Sequence, residues 1–310
     1  MYRLLILDGY ADAAPPITDD YKVTALPVGA DPEARAIAIA AADVIVGEPT
    51  LQELNHAPKL RWIQMTWAGA DRYLAGGFPG NVALTTASGA FGETIAEHAL
   101  AMLMALCRRI PAYARTTAWG DLGCEKPVSG SSALIFGAGD IGKNIALRLK
   151  ALGAHTIGVC RGTDKPRAGF DALLTLEQAE AVLPEADFIL CALPHSSETA
   201  GWLNARRIGQ LRSDAVLVNV GRGSFLDTEA LTAALQDGHL FGAGLDVIDP
   251  EPLPVEHPLW QLRNVILTPH VAGISFGHLT KTEQKIWEII LDNLKRFAAG
   301  EPLRNQVVIS

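Results

Sequence analysis

The sequence predicts an α/β protein made of two doubly wound domains with parallel sheets, one inserted into the other. Short apolar runs alternate with helical segments twice along the chain, first within residues 1–101 and again from residue 133 onward. Alternation of this kind is typical of parallel sheets covered by helices. A long amphipathic segment, residues 278–300, closes the chain, and it is expected to return to the first block, which has only about four strand-like runs. We therefore expect a domain at 102–272, inserted into a domain formed by 1–101 and 273–310.

In the first block, the apolar runs that predict strands are YRLLILD (2–8), DVIVGE (43–48), RWIQMTW (61–67) and VALTT (82–86). The segment 32–42 has helical composition, and Pro and Gly residues mark the turns between elements. Residues 92–110 predict one long helix that Pro111 would end. Its core-facing positions are Ile95, Ala99, Leu103, Leu106 and Ile110.

The second block repeats the alternation of strands and helices. Its predicted strands are 133–136, 155–160, 188–193, 215–220, 242–247 and 264–268. Its predicted helices are 141–152, 176–183, 205–211 and 227–238. A Gly- and Ser-bearing stretch, residues 119–132, connects the two blocks. A cofactor and a substrate are expected to meet in the cleft between the domains.

The composition indicates a cytoplasmic globular protein with neither a nucleic-acid nor a membrane partner. Hydrophobic residues make up 49% of the 310 residues and charged residues 19%, which allows a large core. The net charge of −8 disfavours a nucleic-acid surface, because phosphate binding needs a basic patch. No apolar stretch reaches the ~18–20 residues of a membrane span, and the N-terminus MYRLLILDGY does not resemble a signal peptide. The four cysteines lack C-x-x-C spacing, which favours buried thiols in a reducing compartment.

A glycine-rich turn, residues 137–142 (GAGDIG), follows the strand-like run ALIF and opens a helical segment. In that context the pattern predicts the dinucleotide-binding turn of a Rossmann domain. Gly137 permits the tight turn, Gly139 lets the backbone approach the pyrophosphate, and Gly142 lets the helix pack close to the strand. The helix N-terminus offers free N–H groups to the phosphates. The predicted cofactor contacts of this turn are Gly137, Gly139, Asp140, Ile141 and Gly142.

The residue after the next strand bears on the cofactor type. An NAD enzyme usually places Asp or Glu about 20 residues beyond the turn, to bind the ribose hydroxyls. The run HTIGVC instead ends at Arg161, which could pair with the 2′-phosphate of NADP. Asp164 lies three residues later and could still face the ribose. The sequence therefore favours NADP(H) and leaves NAD(H) possible, the alternative being that Arg161 is a solvated loop residue.

Three charged residues each follow a strand-like run: Arg222 after AVLVNVG, Glu251 after GAGLDVIDP, and His270 after NVILTP. In open α/β sheets, ligands bind beyond the carboxyl ends of the strands. An arginine can anchor a carboxylate, a histidine can exchange a proton near neutral pH, and a carboxylate can orient that histidine. These are the groups that reduction of a 2-keto acid requires.

The order of the motifs carries a family resemblance across nearly the whole chain. The motifs are ETIAEHAL (93–100), GAGDIGKNIA (137–146), ALPHSSETAGWLN (192–204), VNVGRGSFLDTEAL (218–231), GAGLDVIDPEPL (242–253) and LTPHVAG (267–273). Together they resemble the D-isomer-specific 2-hydroxyacid dehydrogenases, especially the glyoxylate/hydroxypyruvate reductases. The resemblance implies a Rossmann nucleotide-binding domain inserted into a flavodoxin-like substrate domain. It also implies a homodimer.

The same resemblance implies a role for each matched residue. Arg222 would hold the substrate carboxylate, His270 would exchange the proton with the 2-keto oxygen, and Glu251 would orient the imidazole and favour its charged form. Further cofactor contacts are implied: Thr94 and Asp246 near the nicotinamide, Leu193 and Pro194 on the adenosine side, and Val220 and Gly221 beside the nicotinamide end.

The implied substrate loop is Trp67, Ala68, Gly69 and Ala70, whose backbone N–H groups would hold the substrate carboxylate. Trp67 is bulkier than the residue expected there. It could narrow the pocket toward glyoxylate or pyruvate, stack on an aromatic keto acid, or belong to the core. His195 lies beside the cofactor corner, where a solvated loop position is the alternative. The histidines lack i,i+4 spacing, so no metal site is predicted.

The sequence thus predicts an NADP-preferring D-2-hydroxyacid dehydrogenase that reduces a small 2-keto acid. Two alternatives accompany this interpretation. A formate dehydrogenase is disfavoured by Glu251, which such relatives lack. A dinucleotide-sensing regulator of the same fold would bind the cofactor without significant turnover, so a turnover assay discriminates between them.

Overall fold

The computed structural model describes residues 1–274, 276 and 280–309. The chain forms two compact units, one of Met1–Ala90 with Ile274–Ser310 and one of Phe91–Gly273. Each unit contains one parallel sheet, so the predicted α/β class with two parallel-sheet domains is confirmed. In the described part of the chain, the helices are all too short or too polar to cross a bilayer.

The strands are β1 (Tyr2–Ile6), β2 (Tyr21–Ala25), β3 (Val44–Val46), β4 (Trp62–Gln64), β5 (Ala83–Thr85), β6 (Ser132–Phe136), β7 (His155–Val159), β8 (Ala172–Leu174), β9 (Phe188–Cys191), β10 (Val216–Asn219), β11 (Gly242–Leu245) and β12 (Val265–Leu267). The α-helices are α1 (Pro32–Ala41), α2 (Leu51–Leu54), α3 (Asp71–Leu74), α4 (Gly92–Cys107), α5 (Ile110–Ala114), α6 (Asp140–Ala151), α7 (Leu176–Ala179), α8 (Ala205–Ile208), α9 (Thr228–Gln236) and α10 (Thr280–Ala299). Short 3-10 helices span Tyr10–Ala13, Glu180–Glu185, Gly223–Phe225 and Pro258–Gln261.

The first unit has a five-stranded sheet in the order β2-β1-β3-β4-β5, the flavodoxin-like order. Strand β2 was not predicted from the sequence. It lies at the sheet edge, and only Tyr21 of its five residues is buried. A strand that exposes most of its side chains lacks the apolar run by which the other strands are recognised.

Helix α10 belongs to the first unit, as the predicted return of the C-terminal segment requires. A buried polar network fixes it there. The Asn293 amide donates a hydrogen bond of 2.8 Å to the Gln64 side chain, and the Tyr21 hydroxyl donates one of 2.7 Å to the Leu294 carbonyl. Asn293 is fully buried, and a buried amide without partners would be costly, so this network specifies where the helix packs.

The second unit has a seven-stranded sheet in the order β12-β11-β10-β9-β6-β7-β8. The chain order reverses between β6 and β9, which is the arrangement of a Rossmann domain. Strand β8 was also not predicted. Like β2 it lies at a sheet edge, and its three residues include no fully buried side chain, so it lacks an apolar run.

The predicted helix 92–110 is wrong at its C-terminal end. Helix α4 stops at Cys107, Arg109 adopts a left-handed conformation with φ of 53°, and α5 begins at Ile110. Pro111 lies in the first turn of α5, where its missing N–H has no helical partner to lose, so it begins a helix and does not end one. Ile110 is consequently 55% exposed and is not a core residue.

The division of the structure lies at Ala90/Phe91 and Gly273/Ile274. The sequence placed it at 101/102, which is inside α4, and at 272/273. This helix packs along its length on α6, β10 and β11, so all of α4 belongs with the second sheet. The assignment of one unit to the substrate and the other to the dinucleotide stays a prediction.

Candidate active site

The carboxyl ends of five neighbouring strands lie side by side in the second unit. Phe136, Cys191 and Asn219 pair across β6, β9 and β10, and Asn219 pairs with Leu245, which pairs with Leu267. The segments that follow these strands contain nearly all the predicted site residues of this unit. The register therefore brings them to one edge of the sheet, at the point where the strand order reverses and ligands are expected.

The glycine-rich turn between β6 and α6 leaves no space for side chains at two positions. Gly137 has φ of 101°, and a Cβ there would lie 2.8 Å from the Ala192 carbonyl oxygen. A Cβ on Gly142 would overlap the Gly137 carbonyl oxygen. At Gly139, by contrast, a Cβ would meet no heavy atom within 4 Å, and the residue is exposed. Gly139 precedes the twelve-residue helix α6, whose N-terminus lacks a side-chain cap, so unpaired N–H groups face open space.

This contrast predicts different effects for two equivalent substitutions. Gly142→Ala should destabilise the protein by about 1–3 kcal/mol, because the backbone must move, and should weaken dinucleotide binding. Gly139→Ala should leave the melting temperature unchanged and still weaken dinucleotide binding, because the methyl group occupies open space beside the helix N-terminus. Thermal unfolding and fluorescence titration with the dinucleotide measure both effects. Equal melting temperatures for the two variants would contradict the packing interpretation.

The other predicted residues of this turn differ in exposure. Asp140 is half-buried, and its carboxylate lies directly against Gly92 at the start of α4. Its backbone carbonyl accepts a 3.0 Å hydrogen bond from the Asn144 amide. Ile141 is half-buried against the apolar cluster beneath α6. Thr94 lies in the first turn of α4, also half-buried.

The segment after β9 passes between two glycines. Gly137 abuts the Ala192 carbonyl on one side, and a Cβ on Gly221 would lie 2.7 Å from the Leu193 carbonyl oxygen on the other. Leu193 is half-buried and Pro194 is exposed. His195 is exposed, and its Nδ1 lies 2.8 Å from the Ser224 hydroxyl, so it joins this corner to the turn that holds Arg222.

Arg222 is half-buried in a turn that a side chain from the sheet holds in place. The fully buried Asn219 donates a 3.0 Å hydrogen bond to the Arg222 carbonyl and accepts one of 3.1 Å from the Gly221 N–H. The Arg222 guanidinium donates to the Gly221 carbonyl at 2.8 Å. Val220 is buried. Sequence reasoning missed Asn219, although a lone amide within the apolar run AVLVNV was a signal that it has a polar task.

His270 and Glu251 form a hydrogen-bonded pair. The His270 Nδ1 lies 3.0 Å from Glu251 Oε2, while Glu251 Oε1 accepts a 3.0 Å hydrogen bond from the Ile248 N–H. Both side chains are partly exposed, at 51% and 39%. A cavity of about 410 Å³ opens beside the pair, lined mainly by apolar residues that include Leu253 and Trp260. The carboxylate therefore fixes the imidazole by one nitrogen and leaves Nε2 available for proton exchange.

Asp246 holds the segment that carries His270. Its carboxylate is buried and accepts hydrogen bonds from the Thr268 hydroxyl at 2.6 Å and from the N–H groups of Val271 and Ala272 at 2.9 and 3.1 Å. Its carbonyl accepts from the His270 N–H at 2.8 Å. His98 on α4 extends this network through Thr268 at 3.0 Å. These bonds keep His270 in its left-handed conformation, with φ of 56°. The predicted contact between Asp246 and the nicotinamide stays a prediction.

The segment after β7 carries cations at the surface. Arg161 and Asp164 are both exposed. Arg167, which sequence reasoning missed, donates a 2.9 Å hydrogen bond to the Ala138 carbonyl within the glycine-rich turn. The Arg167 guanidinium thus lies beside the turn at which the pyrophosphate is expected, whereas the sequence assigned Arg161 to the 2′-phosphate of NADP.

The predicted substrate loop lies in the first unit, between β4 and α3. Its carbonyl groups have protein partners: Trp67 accepts from the Ala87 N–H at 2.9 Å, and Ala70 from the Tyr73 N–H at 2.9 Å. Among the residues that the structure describes, the N–H groups of Ala68, Gly69 and Ala70 donate to no protein acceptor. Successive unpaired N–H groups are a type of backbone feature that can bind an anion, and binding of the substrate carboxylate by this loop stays a prediction. Trp67 is 41% exposed, so it is not a core residue.

Within the described ranges, His, Cys, Asp and Glu side chains form no group able to hold a metal ion. The two sheets and the residues at their carboxyl edges define a dinucleotide-dependent α/β enzyme. Residues 100–272 match the family model for the NAD binding domain of D-isomer specific 2-hydroxyacid dehydrogenases. The chain belongs to this family of NAD(P)-dependent 2-hydroxyacid dehydrogenases, which act on small 2-hydroxy and 2-keto acids.

Similar proteins of known sequence or structure agree with this assignment. A glyoxylate/hydroxypyruvate reductase from Arabidopsis thaliana is 35% identical over 279 residues, which cover 86% of this chain and 83% of that protein. A D-isomer specific 2-hydroxyacid dehydrogenase family protein from Aeromonas salmonicida superposes with a TM-score of 0.87 at 30% identity, over 100% of both chains. An NADPH-dependent glyoxylate/hydroxypyruvate reductase from Sinorhizobium meliloti, solved with NADP and sulfate, gives a TM-score of 0.83 at 26% identity over 98% of both chains.

Proposed function

We propose that this protein is an NADP-preferring D-2-hydroxyacid dehydrogenase that reduces a small 2-keto acid. The observation that carries the proposal is the hydrogen-bonded pair of His270 and Glu251, 3.0 Å apart, on the same sheet edge as Arg222 and the glycine-rich turn. Glyoxylate and hydroxypyruvate are the first candidate substrates, because the relatives from Arabidopsis thaliana and Sinorhizobium meliloti are reductases of these acids.

The residues of the turn fit a dinucleotide. The open space at Gly139 admits a pyrophosphate close to the backbone, and the uncapped N-terminus of α6 offers N–H groups and positive potential to it. When bound, a reduced nicotinamide supplies the hydride. The proposed cofactor contacts are those of the sequence prediction, to which we add Arg167 because its guanidinium donates to the Ala138 carbonyl in this turn.

The chain's own residues supply binding and the proton. Arg222 is proposed to anchor the substrate carboxylate by a charge-assisted pair. His270 holds a proton on Nε2 and passes it to the keto oxygen as negative charge develops there, and takes it back in the reverse direction. Glu251 orients the ring through Nδ1. The unpaired N–H groups of residues 68–70 are also proposed to bind a carboxylate group of the substrate.

The cofactor preference gives a direct test of the Arg161 prediction. NADPH is expected to be used with a kcat/KM about tenfold or more above that for NADH, because a guanidinium pairs with the 2′-phosphate. Arg161→Ala should lower kcat/KM for NADPH and leave that for NADH unchanged. Arg206→Ala is the matched control, since it removes the same positive charge from an exposed position on α8. A preference for NADH in the unmodified protein would refute the role of Arg161 and direct attention to Asp164.

Turnover itself separates the enzyme from the alternative regulator. The loss of reduced-nicotinamide absorbance is followed with glyoxylate, hydroxypyruvate, pyruvate and phenylpyruvate. Reduction of at least one acid, with formation of the D-2-hydroxy acid, supports the proposal. Tight dinucleotide binding without turnover of any acid would favour a sensor. A homodimer in the cytoplasm stays a prediction from the sequence.

A further inference from the structure

The first unit has a half-buried carboxylate, Glu48, that the proposed mechanism does not use. Glu48 follows β3, and its carboxylate receives hydrogen bonds from the next segment of the sheet: from the Thr66 N–H at 2.7 Å and from the Thr66 hydroxyl at 3.0 Å. The Tyr10 hydroxyl, in the segment after β1, donates a third at 3.3 Å. One carboxylate therefore joins three neighbouring strand ends.

The place of Glu48 in the sheet is informative. Ile6 of β1 pairs with Val46 of β3, which pairs with Gln64 of β4, so Tyr10, Glu48 and Thr66 lie at one carboxyl edge. The strand order β2-β1-β3-β4-β5 reverses between β1 and β3. Ligands of open α/β sheets bind at such a switch point. Glu48 thus lies where this sheet is expected to support a ligand.

The backbone before Glu48 is shaped to direct it there. Gly47 has φ of 126°, and a Cβ at this position would lie 2.9 Å from the Leu7 side chain. Only glycine fits such a close approach with this backbone conformation. Burial raises the pKa of Glu48 above its ordinary value, while the hydrogen bonds from Thr66 act in the opposite direction. A carboxylate kept in an unfavourable environment by a glycine-dependent turn indicates a specific task.

Thr66 immediately precedes the loop of residues 67–70, with its unpaired N–H groups. Glu48 holds both the N–H and the hydroxyl of Thr66 and so fixes where this loop begins. At the other end of the loop, the Ala70 carbonyl accepts hydrogen bonds from the N–H groups of Tyr73 and Leu74.

The Tyr10 hydroxyl keeps its proton and remains a donor to Glu48 across the working pH range, because burial and the Glu48 charge raise the pKa of Tyr10 to about 12.

We infer that Glu48 is a positioning residue: it holds Thr66 so that the N–H groups of Ala68, Gly69 and Ala70 converge on a carboxylate group of the substrate. This inference rests on the proposed function, since it assigns Glu48 to binding of the 2-keto acid. Glu48 does not touch the substrate or the cofactor in this role. Its removal consequently affects the KM for the keto acid and not the affinity for the dinucleotide.

The test compares Glu48→Ala with Glu48→Gln. In Glu48→Ala the acceptor is gone, and the KM for the keto acid should rise about tenfold or more while kcat stays within about threefold. In Glu48→Gln the amide oxygen still accepts from Thr66, and KM should return to within about threefold of the unmodified protein. Glu33→Gln, an exposed position on α1, controls for the loss of one charge in the same unit.

Hydrogen–deuterium exchange of the Thr66 N–H, which donates to Glu48, provides a readout without turnover. This N–H should exchange faster in Glu48→Ala than in Glu48→Gln, with the rest of the five-stranded sheet unchanged. If Glu48→Ala does not fold, Thr66→Val, which removes only the hydroxyl, should give a smaller rise in KM of the same kind. An unchanged KM in Glu48→Ala, or an equal loss in both Glu48 variants, overturns the inference. Absence of turnover in the unmodified protein overturns the proposed function, and exchange then still decides whether Glu48 holds the loop.

Discussion

Replacement of His270 by asparagine is expected to lower kcat by about 10²–10⁴, the usual contribution of a general acid or base. Asparagine is the appropriate substitution because His270 has φ of 56°. Asparagine tolerates this left-handed conformation better than alanine, so the backbone hydrogen bonds to Asp246 and Thr268 should persist. A loss of activity then reports the missing imidazole and not a displaced loop.

Dinucleotide affinity and the melting temperature are the controls for this variant, and both should match those of the unmodified protein. Glu251→Gln is the companion variant. It keeps an acceptor for the Ile248 N–H but removes the charge beside the imidazole, so a smaller loss of kcat, about 10–100-fold, is expected. Turnover by His270→Asn within about threefold of the unmodified rate would exclude His270 as the proton donor.

The parts of the fold that could be predicted from sequence are those with a strong local signal. Buried strands such as β6, β9 and β10 are continuous apolar runs, and the GAGDIG turn has its own chemistry. The edge strands β2 and β8 were missed, because tertiary pairing specifies them and their exposed residues show no apolar pattern. The break after Cys107 was missed because apolar spacing continues through it, and only the left-handed Arg109 reveals it.

The site divides in a similar way. Residues that follow strand-like runs, such as Arg222, Glu251 and His270, were predictable because parallel strands bring their carboxyl ends together. The residues that hold the Arg222 turn and the loop of residues 67–70 were not. Asn219 donates a hydrogen bond to the turn that follows its own strand, and Glu48 accepts one from Thr66 after the neighbouring strand. No spacing rule in the sequence describes either contact. A polar residue within or directly after an apolar run is the sequence signal that both share.

Replacement of Arg222 should have the second large effect, on substrate binding. Two charge-assisted hydrogen bonds of about 1.5–3 kcal/mol each would be lost in Arg222→Ala, which corresponds to a fall in kcat/KM of about 10²–10⁴. Arg222 has an extended backbone with φ of −140°, so alanine introduces no backbone strain. The Asn219 amide can still donate to the backbone carbonyl of residue 222 and hold the turn.

Arg222→Lys and Arg206→Ala make this prediction specific. Lysine retains the charge but not the planar fork of donors, so Arg222→Lys should recover only part of kcat/KM. Arg206 is an exposed residue on α8 paired with Glu180. Its replacement removes the same charge without changing the Arg222 turn, so activity should be unaffected.

Oxalate inhibition measures carboxylate binding directly, and it should weaken in Arg222→Ala while dinucleotide affinity is retained. Oxalate inhibition of unchanged strength would show that another group anchors the carboxylate, and the N–H groups of residues 68–70 would then be the first to test.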